Sequence, residues 1–193
     1  MTRTHRRRSR RWPILATVIV VGVVAGVLAV SGVFDKAIQE LTLPLKHEDI
    51  IRQQSREKGV DAALIAAVIY AESKFNDAES SAGARGMMQI TPDAAEFIEK
   101  QSGGTTFKLD DLSDPEINIR YGTFLLRELL ERYDGDSAAA LAAYNAGPGN
   151  ADKWGGSGLS VADIPFPETR AYVEEVLEKQ REYRREYGHE LGY

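Results

Sequence analysis

The chain has no cysteine among its 193 residues. Disulfide crosslinks and thiol catalysis are therefore excluded, and any exported part of the protein must be held together by its apolar core. The three histidines, His5, His47 and His189, are scattered without the spacing of metal ligands. Internal repeats and low-complexity tracts are also missing, while 43% of the residues are hydrophobic. These observations favour a globular domain with a real core and without a metal site.

Acidic residues are missing from residues 1–34, whereas that stretch carries six arginines: Arg3, Arg6, Arg7, Arg8, Arg10 and Arg11. The rest of the chain has the opposite balance, with 18 basic and 29 acidic side chains in residues 35–193. An acidic domain is a poor candidate for non-specific nucleic-acid binding, because phosphate backbones repel it. We therefore expect no nucleic-acid partner.

A long uncharged run follows the arginines. Ile14 to Val33 is twenty residues without a charge, the length of a bilayer-spanning helix. Positive charge beside such a span stays in the cytoplasm. This predicts a basic cytoplasmic tail (1–13), a single-pass plasma-membrane anchor (14–33) and a domain on the extracytoplasmic, cell-wall side. Ala29 and Ser31 are spaced as in a cleavage site, so a cleaved signal peptide is the alternative.

The pattern after a linker (34–46) is helical. Start signals stand at Asp61, at Thr91–Pro92 and at Asp114–Pro115, and a last helix is predicted from about Glu168 to Tyr187. The glycine-rich residues 147–158 are predicted to form a loop, and only the stretches around 76–90 and 104–112 have room for short strands. We assign 47–187 to one mainly α domain and 188–193 to a tail. One predicted helix has the clearest apolar face, formed by Ile117, Tyr121, Phe124, Leu125 and Leu129.

The stretch "LIAAVIYAESKF" contains a glutamate in an unusual position. Ile65, Val68, Ile69 and Glu72 are spaced i, i+3, i+4 and i+7, so they share one face of a helix. A charged carboxylate on an apolar face near the negative end of a helix dipole is disfavoured. Both effects raise its pKa toward the range of a general acid. Glu72 is therefore the candidate catalytic acid, although most helical glutamates are solvated surface residues.

Four motifs occur in order along the chain: "AES" (71–73), "GARGMMQITP" (83–92), "AYNAGPG" (143–149) and "PFPETRAYV" (165–173). Together they resemble the catalytic domain of the soluble-lytic-transglycosylase type, within the lysozyme-like superfamily. The resemblance covers about residues 47–187 and leaves out the N-terminal segment. It implies an α+β lysozyme-like fold that is mainly helical, acting on peptidoglycan glycan strands without a metal or organic cofactor.

The resemblance also implies roles for single residues. Glu72 matches the one catalytic acid and base of such enzymes. The positions that match substrate-contacting or cleft-lining residues are Ser73, Met87, Gln89, Tyr144, Asn145 and Tyr172. Met87 stands where the family more often has leucine, a swap that keeps volume and hydrophobicity. Each also has a structural interpretation: Met87 as core, Gln89 as a backbone cap, Asn145 as a helix C-cap, and Tyr144 and Tyr172 as half-buried aromatics.

The reaction type depends on whether a second carboxylate is present. Ordinary glycosidases use two, and here Asp77 and Glu79 on the loop after Glu72 are the open candidates. If Glu72 acts alone, the resemblance implies non-hydrolytic cleavage between N-acetylmuramic acid and N-acetylglucosamine, giving 1,6-anhydro ends. A hydrolytic muramidase on the same fold is the alternative. A non-catalytic wall-binding or scaffold module, for instance within a secretion apparatus, is a third interpretation, disfavoured because a binder needs no buried acid.

Overall fold

The structure is a computed structural model that describes residues 38–102 and 108–193. The chain divides into two compact units, residues 1–43 and residues 44–193. In the first unit, residues 38–42 are helical. The predicted basic tail (1–13) and membrane anchor (14–33) lie outside the described residues. Among the helices that the structure does describe, none is both long enough and apolar enough to cross a bilayer.

The second unit is helical, which confirms the mainly α prediction. Its helices are α1 Glu48–Lys58, α2 Ala62–Ser73, α3 Pro92–Ser102, α4 Pro115–Arg132, α5 Ser137–Ala146, α6 Pro148–Trp154, α7 Pro167–Glu186 and α8 Gly188–Leu191. Short 3₁₀ turns occupy Leu109–Ser113 and Val161–Asp163. In the first of the two stretches with predicted room for strands, Arg85 forms isolated β-bridges with Glu79 and with Ile90. Part of the second stretch, 104–107, lies outside the described residues.

The helix starts follow from side-chain caps. Asp61 accepts a hydrogen bond from the backbone N–H of Leu64 at 2.8 Å, at the start of α2. Asp114 caps α4 in the same way, with proline at the first helical position. A third aspartate, Asp136, accepts from two N–H groups at the start of α5. Each cap satisfies donors that the helix itself leaves unpaired, so these boundaries could be predicted from the sequence.

Helix α2 lies at the centre of the unit. All of its residues from Ala62 to Ile69 are buried, and its most extensive packing is against α7. Four of these eight positions are alanines, which allow neighbouring helices to approach closely. The apolar face proposed from the sequence is therefore not a stripe, because the first two turns are buried on every side. Glu72 lies beyond them, in the last turn, where the helix reaches the surface.

The buried face of α4 differs from the predicted one. Tyr121 and Leu129 are buried as expected, but Ile117, Phe124 and Leu125 are partly exposed. The positions that enter the core instead are Asn118, Ile119, Gly122, Thr123 and Leu126. The helix carries two overlapping apolar faces, and on the buried one Gly122 packs closely against Met88.

Three boundaries also differ from the prediction. Residues 147–158 are not one loop, because Pro148 starts helix α6 at its favoured first position. The compact unit begins at Pro44, before the expected domain start, since the Pro44 carbonyl accepts a 2.6 Å hydrogen bond from Tyr183. Residues 188–193 are not a free tail: they form α8, and the Tyr193 hydroxyl accepts a 2.9 Å hydrogen bond from the N–H of Ala63.

The contact between α4 and Met88 allows a stability test. A Cβ atom at position 122 would lie 2.3 Å from the Met88 sulfur. We expect Gly122→Ala to lower the free energy of unfolding by about 1–3 kcal/mol, because overpacking outweighs the gain in helix propensity. Denaturant titration measures this change. Gly149→Ala in α6 is the control, because no atom lies within 4 Å of its added Cβ; a loss as large there would contradict the packing argument.

Candidate active site

Glu72 is only partly exposed at the C-terminal end of the buried helix α2. Burial raises the pKa of its carboxyl from the ordinary value of 4.5 to about 7. The cause is the loss of water around the charged form, which makes ionisation costly. The predicted raised pKa is therefore confirmed. At neutral pH a large fraction of Glu72 remains protonated and able to donate its proton.

Tyr172 on α7 is the one group that opposes the rise in the pKa of Glu72. Its hydroxyl, as a donor toward the Glu72 carboxyl, lowers the pKa, but by less than burial raises it. The contact is not a well-formed hydrogen bond, since within the described residues this buried hydroxyl has no hydrogen-bond partner. Hydrogen bonds at catalytic groups are often long in unliganded proteins and tighten when substrate binds. Tyr172 thus lies beside the acid with an unused hydroxyl.

Tyr144 on α5 approaches the same acid but uses its hydroxyl differently. The hydroxyl donates to the carbonyl oxygen of Met88 at 2.9 Å. Burial, together with the nearby Glu72 carboxyl, raises the pKa of this phenol well above its usual range. Tyr144 is therefore neutral at physiological pH, and it fixes the Met88 backbone beside Glu72.

Ser73 also binds residues 87–89, called here the methionine segment. Its hydroxyl donates to the carbonyl of Met87 at 2.8 Å and lies 3.2 Å from that of Ile69. The single hydroxyl proton is thus already used inside the protein. Met87 is 4% exposed and Met88 is fully buried, so the core interpretation of Met87 fits the structure better than a broad contact with substrate.

Gln89 ends the methionine segment in a left-handed conformation, with φ of 47°. Its side-chain amide donates to the carbonyls of Ala78 and Gly86, at 2.9 and 2.8 Å. Both amide hydrogens therefore brace the loop, in agreement with the backbone-cap interpretation. Only the side-chain oxygen of Gln89 remains available to a ligand.

Asn145 is exposed near the end of α5. Its side-chain oxygen accepts a 2.8 Å hydrogen bond from the hydroxyl of Thr169, which is buried on α7. This bond orients the Asn145 amide and leaves its N–H groups free to donate to a ligand. The C-cap interpretation does not fit, because α5 ends at Ala146 and Gly147 is its C-cap.

Asn118 on α4 was missed by the sequence analysis. It is 1% exposed, accepts from the N–H of Met88 at 2.8 Å, and donates to the carbonyls of Arg85 and Leu112. Gly86 passes so close that an added Cβ would lie 2.1 Å from the Asn118 amide. The available signal was a polar residue inside an apolar helix pattern, since a buried amide must find partners.

A groove of about 780 Å³ borders this cluster. Tyr144 and Asn145 line the groove, whereas Glu72 itself does not. Tyr144 is also near enough to Glu72 for that carboxyl to raise the pKa of the phenol. The apolar lining of the groove comes from α3, α4 and the start of α6: Ala94, Phe97, Leu125, Leu129 and Pro148. Phe97 is 41% exposed. An open aromatic ring on an apolar floor suits a ligand with flat apolar faces.

The two candidates for a second carboxylate are both exposed. Asp77 and Glu79 lie on the loop after α2, and the Glu79 carboxylate is 3.4 Å from the Arg85 guanidinium. A carboxylate close to Glu72 would raise its pKa by repulsion. Among the described residues, burial and Tyr172 account for the pKa of Glu72, and no other acid contributes. Within the described residues, Glu72 is thus an acid of raised pKa without a second carboxylate acting on it.

A helical domain that holds one acid of raised pKa near a groove has the features that general acid catalysis requires. Comparison with known families identifies the class of domain. The model of the transglycosylase SLT domain matches residues 49–164. The chain therefore belongs to the SLT transglycosylase domain family.

Relatives with assigned names agree with this family. The soluble lytic murein transglycosylase of Salmonella typhimurium is 34% identical over 154 residues, covering 75% of this chain and 24% of the relative. The membrane-bound lytic murein transglycosylase C of Edwardsiella ictaluri is 33% identical over 169 residues, covering 72% and 47%. The chain thus spans about a quarter of the length of the soluble relative and about half that of the membrane-bound one.

Solved structures show the same fold. The 70 kDa soluble lytic transglycosylase of Escherichia coli superposes with a TM-score of 0.73 at 34% identity, covering 77% of this chain and 26% of that one. An inactive mutant of the lytic transglycosylase Slt from Pseudomonas aeruginosa gives 0.73 at 30% identity, with coverage of 78% and 26%. The expected fold is therefore confirmed for the helical unit.

The raised pKa of Glu72 predicts a pH-dependent effect of its removal on stability. The folded state holds the proton up to about pH 7, whereas the unfolded chain releases it near 4.5. Stability from this group is therefore lost as the pH rises between these values. We expect Glu72→Gln to be more stable than the wild type at pH 8, by up to about 3 kcal/mol, and nearly equal at pH 4. Denaturant titrations at both pH values measure this, and a constant difference would contradict the raised pKa.

Proposed function

We propose that this chain is a peptidoglycan lytic transglycosylase that cleaves the β-1,4 bond between N-acetylmuramic acid and N-acetylglucosamine without water. The observation that carries the proposal is the environment of Glu72: burial raises its pKa to about 7, and no second acid in the described residues contributes. A family relationship to lytic transglycosylases supports the same chemistry. A pure wall-binding module would gain nothing from an acid held protonated at a destabilising position.

The reaction uses Glu72 twice. The protonated carboxyl gives its proton to the bridging glycosidic oxygen, the C1–O bond breaks, and N-acetylglucosamine leaves as the alcohol. The acetamido group of the muramyl sugar stabilises the positive charge at C1. The resulting Glu72 carboxylate then takes the proton from the 6-hydroxyl of the same sugar, and that oxygen closes onto C1. Atoms balance without water, and the product carries a 1,6-anhydro ring.

The neighbouring residues have distinct roles in this proposal. The unused hydroxyl of Tyr172 donates to Glu72 when the group becomes a carboxylate, which stabilises the charged intermediate state. Asn145 offers its free amide hydrogens to the sugar. Ser73, Gln89 and Tyr144 act mainly by holding the methionine segment beside the acid, because their donors bind backbone carbonyls.

The groove accommodates the glycan strand. Phe97 presents a ring 41% exposed to solvent, and sugars bind aromatic rings through their apolar faces. The groove is acidic, since Asp93, Glu128 and Glu131 line it together with one base, Arg132. Arg127 pairs with both glutamates, and Arg132 pairs with Asp152. An acidic groove with an apolar floor suits a polysaccharide better than a nucleic acid, whose phosphates it repels.

The products of digestion distinguish the lyase from the alternative muramidase. Soluble fragments released from purified peptidoglycan should end in 1,6-anhydro sugars, lighter by one water than hydrolysis products and resistant to borohydride. Mass spectrometry before and after reduction measures both properties. Glu72→Gln should lose at least ~10² in rate, whereas the control Glu79→Gln should keep its activity. Reducible ends would establish hydrolysis, and undiminished activity of Glu72→Gln would exclude its role.

We further propose that residues 14–33 anchor the protein in the plasma membrane, with the catalytic unit on the cell-wall side. The support is the run of six arginines followed by twenty uncharged residues. A C-terminal alkaline phosphatase fusion should be active in cells, and a C-terminal green fluorescent fusion should be dark. The reverse pattern would contradict the orientation. N-terminal sequencing of the mature protein separates an anchor from a cleaved signal peptide, which would begin near residue 32.

A further inference from the structure

The chain leaves helix α2 through a strained turn, two residues after Glu72. Lys74 and Phe75 have φ values of 52° and 61°, so two successive non-glycine residues adopt the left-handed conformation. This conformation is unfavourable for an L-residue, above all for a bulky one. Such strain persists only where surrounding contacts enforce it. The question is which contacts hold this turn.

One contact comes from the side chain of Phe75, which is 2% exposed. Its ring centroid lies 6.1 Å from that of Tyr183, a fully buried residue of α7. Aromatic packing of this kind fixes the side chain of Phe75 in the core. It does not by itself fix the Phe75 peptide group, which could rotate while the ring stays in place.

The second contact acts on that peptide group. The ammonium group of Lys46 donates a 3.1 Å hydrogen bond to the carbonyl oxygen of Phe75, 29 residues away in sequence. The segment that carries Lys46 is itself held, because the Tyr183 hydroxyl donates to the carbonyl of Pro44 at 2.6 Å. Tyr183 therefore contacts both the turn and the segment from which Lys46 reaches it. A bond to an ionised donor is stronger than a neutral one.

We propose that Lys46 is a positioning residue for Glu72, and that it acts by holding the left-handed turn at Lys74 and Phe75. The N–H of Lys74 closes the last turn of α2 by donating to the carbonyl of Tyr70 at 2.9 Å. If the turn relaxes to a right-handed or extended conformation, this bond is lost and the last helical turn frays. Glu72 lies within that turn, so its carboxyl moves relative to the substrate.

The expected loss of kcat on removal of the Lys46 hydrogen bond follows from the geometry. A displacement of about 1 Å at a catalytic group can cost ~10² in rate. Lys46 is exposed to solvent, so water partly replaces its hydrogen bond and the turn loosens without unfolding. We therefore expect a loss of about tenfold in kcat. The proposal assigns a role to the segment before α1, which the sequence analysis treated as linker.

The test compares three substitutions with the wild type on soluble glycan strands of defined length. Lys46→Met keeps the length of the side chain and removes the donor, and it should lower kcat about tenfold while KM stays within about twofold. Lys46→Arg keeps a charged donor and should retain most of the activity. Lys58→Met, at the end of α1, is the matched control and should behave as the wild type. An unchanged kcat in Lys46→Met, or an equal loss in Lys46→Arg, would overturn the proposal.

Two further readouts separate positioning from other effects. Burial raises the pKa of Glu72, so fraying of its helical turn should move the midpoint of the pH–rate profile to lower pH in Lys46→Met; an unchanged or a raised midpoint would contradict the loss of burial, and a raised one would indicate an electrostatic role of Lys46 instead. Adding Lys74→Gly, which removes a left-handed penalty, should restore part of the lost kcat. Failure of this rescue would contradict the role of the turn.

The proposal rests on the proposed acid role of Glu72, and hydrogen exchange makes the two failures distinguishable. In Lys46→Met the amide of Lys74 should lose protection, whereas in Lys58→Met it should not. This measurement needs no substrate. If the wild type fails to cleave peptidoglycan, the proposed function is wrong, and the exchange data alone decide whether Lys46 holds the turn. Unchanged protection would reject the contact itself.

Discussion

Burial of helix α2 on all sides is the constraint on which the site depends. The residues Ala62 to Ile69 are enclosed by the surrounding helices, so the direction in which the helix leaves the core is set before the chain reaches Glu72. The Glu72 carboxyl, in the last turn of this helix, therefore has a fixed position and a poorly hydrated environment. Its raised pKa is therefore a consequence of packing rather than of any neighbouring charge.

The methionine segment opposite the acid is held by side chains from three directions. Ser73 and Tyr144 donate to the carbonyls of Met87 and Met88, and Asn118 accepts from the N–H of Met88. A loop without regular secondary structure must satisfy its backbone groups in this way. Most polar residues near Glu72 consequently hold the backbone of this segment, and the others keep hydrogen-bonding groups open toward Glu72 or a ligand. The groups that keep an open hydrogen-bonding capacity are the Tyr172 hydroxyl, the Asn145 amide hydrogens and the side-chain oxygen of Gln89.

The sequence was most informative where the structure is determined locally. Asp61 and Asp114 cap the next few residues of the chain, so the helix starts at these positions could be predicted. The buried environment of Glu72 was expected from an apolar stripe, whereas it results from a helix that is buried on every side. The face of α4 could not be predicted, because Leu125 and Leu126 are equally apolar and the choice between them depends on tertiary packing such as that of Met88 on Gly122. Lys46 was missed for the same reason: its partner is the backbone of Phe75, which no residue pattern records.

In the proposed reaction Glu72 acts first as an acid and then as a base, and its pKa affects both steps. An acid with a much higher pKa would donate its proton poorly, and one with a much lower pKa would be ionised before the substrate arrived. A value near the ambient pH keeps the cost of both steps small. Burial alone raises the pKa, and the Tyr172 hydroxyl moderates that rise. Since this hydroxyl has no hydrogen-bond partner within the described residues, it is free to bond to Glu72 as charge develops there. In the proposed reaction Tyr172 thus limits the pKa of Glu72 before proton transfer and stabilises the carboxylate afterwards, while a single acid takes both roles that glycosidases ordinarily divide between two carboxylates.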